Sequence, residues 1–176
     1  MTNKIKILGL IMLFVFTATF SYSQKCKYEY EKKDELTGLV SKAILQEFST
    51  VLNFRIKALG DSYSMDVLIY FPAMTNQLSA ITLVYLEEGD AISFKLSTGE
   101  IVSIPVPKRI KPELRQDKWA FFHLYDNIPI DKELLEKLSS TTVSYACLCN
   151  EKKIAESTLK EKEAKAFQEK LKCILQ

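Results

Sequence analysis

The chain has 176 residues, with 24 Lys and Arg against 22 Asp and Glu and a 47% hydrophobic content. That balance suits one folded domain, and no proline/glycine-rich linker, low-complexity tract or internal repeat divides the chain. Only five glycines are present, and neither a P-loop nor a G-x-G-x-x-G run occurs, so the chain has little material for a phosphate cradle.

The first segment reads as a secretory leader. Lys4 and Lys6 precede an uncharged run from Ile7 to Phe20, which ends in Ser21-Tyr22-Ser23. The run is short for a bilayer span, and its small-residue exit matches a signal-peptidase site. Cleavage after Ser23 is expected, leaving 24–176 as a single domain with no transmembrane helix. Lys25 precedes Cys26, which argues against lipidation. Both leader charges are lysines, so the mature chain would hold 22 basic and 22 acidic residues. A neutral surface lacks the clustered cations that nucleic-acid binding requires.

Residues 25–31, "KCKYEYE", alternate and predict a half-buried strand, followed by a turn at "DELTG". Residues 39–52 fit either helix or strand by spacing. The Asp34-x-x-Thr37-Gly38 turn, the "LSTGEIV" hairpin and the ending Leu171-x-Cys173-Ile174-Leu175 resemble small exported bacterial proteins of unknown function. The resemblance implies β-rich structure and a strand in 39–46, and implies no activity.

From Phe54 onward, "FRIKAL", "YSMDVLIYF", "AITLVYL", "AISFKL" and "IVSIPV" read as strands joined by short turns. Such short links require antiparallel neighbours. Residues 105–118 are proline-rich and basic and read as an irregular connection. "WAFFHLY" (119–125) predicts a central strand. Asp131 is placed to cap a short helix over "DKELLEKL", and "TTVSYACLC" (141–149) predicts another strand. Thr158–Leu175 reads as an amphipathic helix with Ala164, Phe167, Leu171 and Ile174 on its buried stripe. The fold class is therefore α+β. It is expected as a meandering antiparallel sheet of about six to eight strands, with both helices on one face.

Four cysteines in an exported chain permit disulfides. Cys26 with Cys173, joining the two ends, is the expected pair. Cys147 and Cys149 share a strand face two positions apart, too far along an extended strand to bond without a bulge. They are read as structural thiols in the core. A zinc site built from them with Cys173 and His123 lacks the usual ligand spacing, so neither metal nor cofactor is expected.

His123 is the single histidine, and no G-x-S-x-G elbow accompanies it. It is the residue on which a small hydrolase would depend, with acids supplied by the fold. The plainer reading is a packed ring. Ser157-x-x-Lys160 lacks its companion motifs, and Glu87, Glu88 and Asp90 lack calcium-loop spacing. Two surfaces remain for binding. Lys108, Arg109, Lys111, Arg115 and Lys118 cluster on the proline-rich connection and suit an anionic glycan, lipid headgroup or acidic partner. Trp119, Phe121 and Tyr125, with His123 among them, would offer an aromatic surface for a sugar or peptide if uncovered. The favoured function is a non-enzymatic binding or interaction module, periplasmic or secreted, for an envelope or extracellular ligand or protein.

Overall fold

The computed structural model describes residues 26–71, 84–116, 120–149 and 154–176. The leader, Trp119, Lys118 and most of the strand expected over 80–86 lie outside the described residues. Ten strands and two helices follow in chain order: β1 (Tyr30–Lys33), β2 (Val40–Glu47), β3 (Leu52–Leu59), β4 (Ser62–Phe71), β5 (Ala91–Leu96), β6 (Ile101–Pro105), β7 (Glu113–Gln116), β8 (Phe121–Ile130), α1 (Lys132–Ser140), β9 (Val143–Cys149), β10 (Ala155–Thr158) and α2 (Glu161–Ile174). Every strand pairing is antiparallel, and the class is α+β as the alternation and short turns imply.

The strands do not form one meander. They divide into a six-stranded sheet, ordered β1-β2-β3-β4-β8-β7, and a four-stranded sheet, ordered β10-β9-β5-β6. The chain leaves the first sheet after β4, returns for β7 and β8, and leaves again through α1. Each sheet turns its apolar side toward the other. Leu52, Phe54, Ile56 and Ala58 alternate along the inner side of β3, and Ile92, Phe94 and Leu96 do so along β5. The helix α2 seals the gap with Phe167. Phe48 and Phe167 stand edge-on with ring centres 4.8 Å apart, and Phe54 lies 5.3 Å from Phe94, so one aromatic cluster joins both sheets to the helix.

Local expectations are corrected at several places. Asp131 occupies the position before α1, but its side chain makes no capping bond; buried Leu135 and Leu138 hold that helix instead. The helix α2 begins at Glu161, because Thr158 is still paired in β10 opposite Tyr145. There the Glu163 carboxylate accepts the Lys160 N–H at 2.9 Å. On β9, Ala146 and Leu148 point into the core, while Cys147 and Cys149 lie on the opposite side. A register shift between Lys95 and Leu96 is what lets Val143 also reach the core.

Cys26 and Cys173 are joined by a disulfide, and the Cys147 and Cys149 sulfurs are placed against each other on β9. The Cys147 and Cys149 Cα atoms lie 5.4 Å apart, with no bulge between them in the pairing with β5.

A basic cleft at the β8 bulge

The candidate site begins with an interruption in pairing. Between β4 and β8 the register slips, so that Asp126 and Asn127 together face Asp66. Asn127 takes a positive φ of 57°, a conformation its short polar side chain tolerates better than most. Asp66 holds it there by accepting the Asn127 N–H at 2.9 Å. The same carboxylate meets Lys57 at 2.6 Å and Arg55 at 3.5 Å, and Arg55 in turn forms two bonds with Glu29. Asp66 is 3% exposed, and these partners account for its charge.

Opposite the bulge runs the connection from Pro107 to Lys111. It is anchored rather than loose. Leu86 and Ile110 exchange both backbone bonds, at 3.1 and 2.8 Å, and the Val106 N–H reaches Asp90 O at 2.8 Å. Prolines at 105, 107 and 112 fix φ along it and explain why it reads as irregular. Arg109 lies 4.4 Å over the Tyr85 ring, with its Nε 3.1 Å from Glu87. Glu87 is itself placed by Asp90, which accepts the Glu87 N–H at 2.8 Å.

Connection and bulge enclose a cleft of about 530 Å³, lined by Pro107, Lys108, Arg109, Ile110, Lys111, Asp126, Asn127 and Pro129. Lys108 and Lys111 are exposed, and neither forms an ion pair among the described residues. Asp126 accepts from the Asn127 amide at 2.8 Å, and Asn127 Oδ1 accepts from Lys57 at 2.6 Å. The cleft therefore carries three cations, one of them shared with Glu87, against a single carboxylate. Such a lining offers donors to an anionic group and one acceptor for a hydroxyl or N–H.

The other sequence candidates go elsewhere. Arg115 sits on β7 and pairs with Glu113 at 2.6 Å, outside the cleft lining. His123 is 1% exposed and packs edge-on to Phe71 at 4.7 Å and to Tyr125 at 6.4 Å. Its Nε2 has no hydrogen-bond partner among the described residues, and burial lowers its pKa, so the ring is neutral. Among the described residues no serine, cysteine or acid contacts it in the way a triad requires. Tyr125 is fully buried, donates to Val84 O at 2.7 Å, and is pushed up to about 12 by burial. These two residues are core, not an aromatic docking surface. Sequence reading missed Asp126 and Asn127. The signal available was two polar residues interrupting an apolar strand, which read as its end.

Among the described residues no cluster of histidine, cysteine and acidic groups suits a metal ion, and no helix is long and apolar enough to cross a membrane. No family model, curated protein or solved structure matches the chain.

Proposed function

We propose that the protein is an exported, non-enzymatic binding module that takes an anionic ligand in the cleft between residues 107–111 and the β8 bulge. The observation that carries the reading is the pair Lys108 and Lys111. Among the described residues both stand unpaired beside Arg109 on a segment pinned at both ends, so their ammonium groups are presented with little backbone freedom left to lose. The cleft volume falls within the range of roughly 300–1,000 Å³ common to small-ligand sites. Export is supported by the leader-like N-terminus and by the Cys26–Cys173 disulfide, as suits an oxidising compartment. The described surroundings of His123 are Phe71 and Tyr125, which do not favour the hydrolase alternative.

The experiment is calorimetric titration of the folded protein with a polyuronate oligosaccharide, and with its uncharged methyl ester as control. Binding of the acid form is expected to weaken with added salt. The double substitution Lys108→Glu with Lys111→Glu should lower affinity about tenfold, as loss of two exposed ionic contacts implies. Equal binding of acid and ester, or an unchanged affinity in the double variant, would sink the proposal.

A further inference from the structure

The edge strand β1 is half the length of its neighbour β2, four residues against eight. Its pairing stops at Tyr30 opposite Ala43, just after a bond from the Glu29 N–H to Ala43 O at 2.8 Å. The chain before it is drawn elsewhere. Cys26 is bonded to Cys173 near the end of α2, and Tyr28 donates to Cys173 O at 3.0 Å. Beyond Ala43, β2 therefore pairs with β3 alone.

Alternation decides which backbone groups this leaves open. Val40 O accepts from Gly60 and the Phe48 N–H reaches Leu52 O, so the even positions of β2 address β3. Ala43, Leu45 and Glu47 address the other side. Two carbonyls there are already used: Leu45 O accepts from Lys170 Nζ and Glu47 O from the Gln46 amide, each at 2.8 Å. The Leu45 and Glu47 N–H groups have no partner among the described residues. Two such donors on a strand stand about 6.6 Å apart. One carboxylate is too small to meet both, whereas carbonyls i and i+2 of an extended peptide repeat at that distance.

Leu45 and Glu47 line a cleft of about 610 Å³, whose other walls are residues 27–29 and one side of α2. Its charge leans positive. Glu29 is engaged by Arg55 and Glu163 by the Lys160 N–H, which leaves Glu47 against three lysines. Lys27 and Lys162 are exposed and form no ion pair among the described residues. Lys170 is half-buried; burial lowers its pKa, Glu47 opposes that shift, and the ammonium of Lys27 adds to it. A carboxylate arriving between Lys27 and Lys170 would relieve their repulsion.

We propose that the open end of β2 is a docking edge for an extended acidic peptide segment of a partner protein. The segment adds as a strand beside residues 45–47, its carbonyls accepting the two N–H groups and its acidic side chains meeting the lysines. This edge shares no lining residue with the cleft at the β8 bulge.

The test titrates isotope-labelled folded protein with an end-blocked heptapeptide of alternating Val and Asp, and follows amide exchange. Bound peptide should slow the Leu45 and Glu47 amides about tenfold or more, and leave those of Ile44 and Gln46 little changed. The same peptide with proline at its third and fifth positions keeps its charge but cannot pair, and should bind at least about tenfold more weakly. Lys27→Glu with Lys162→Glu should weaken binding about tenfold, and Lys108→Glu with Lys111→Glu should leave it as in the native protein. Circular dichroism checks that both variants fold, and the exchange readout needs neither. Unprotected Leu45 and Glu47 amides, or equal binding of the proline peptide, would overturn the proposal. So would full affinity in the Lys27 and Lys162 variant, or loss of binding in the Lys108 and Lys111 variant.

Discussion

At the scale of single residues, two buried titratable rings make the stability of the fold depend on pH. His123 is enclosed by Phe71 and Tyr125, and burial keeps its imidazole below the usual range. The folded state therefore favours the neutral ring. That contribution is complete above about pH 6.5 and is lost as the pH falls through the folded value. His123→Phe is expected to match the native protein near neutrality and to lose less stability on acidification, read from urea midpoints between pH 7 and 5. Tyr125 acts at the other end. Burial raises it to about 12, so the folded state favours the neutral phenol, and stability declines as the pH climbs from the ordinary value of about 10 toward 12. Tyr125→Phe should cost about 1 kcal/mol at pH 7 through the lost bond to Val84 O, and should flatten the alkaline decline. An alkaline absorbance titration with parallel denaturation checks it. The sequence shows these rings as apolar-flanked members of a strand, but not which side of that strand is covered.

Secondary elements differ in how plainly the chain announces them. The strands β5 and β6 alternate cleanly on either side of a glycine turn, β3 meets β4 at another, and Gly60, Gly89 and Gly99 all adopt the positive φ such turns need. The short strand β7 is exposed at every position and lies among prolines, so it carries no apolar signal. The four residues of β10 alternate but abut a helix-like run, which absorbed Thr158. The β8 bulge is the telling case. Lys108, Arg109 and Lys111 are adjacent in sequence, so their half of the cleft is legible as a basic run. Asp126 and Asn127 reach it only through the slipped pairing of β8 with β4, which leaves no local trace. Asp66 is the latch of that bulge. Asp66→Ala strips a partner from the Asn127 N–H and from Lys57, and should cost about 2–3 kcal/mol in urea unfolding. The figure lies below that for a fully buried pair because Lys57 and Arg55 are 21% and 26% exposed and rehydrate. Ligand affinity at the cleft should fall with it.

Taken whole, the molecule is two sheets and a closing helix whose apolar sides form one core, held at its extremities by Cys26–Cys173. Tyr28 reinforces that junction by donating to Cys173 O at 3.0 Å. The α+β class was legible because strand alternation and helical spacing are local properties. The division into two sheets was not, because it depends on where the chain crosses over, and no residue pattern marks that choice. The terminal bond makes almost the entire folded polypeptide a covalent circle. A protease that severs one peptide link anywhere between Lys27 and Lys172 should therefore release nothing. Nicked material ought to retain its intact mass plus one water and separate into fragments only after reduction, as paired gels with and without thiol would show. In surroundings rich in hydrolases, such a molecule survives its first scission with every piece still attached.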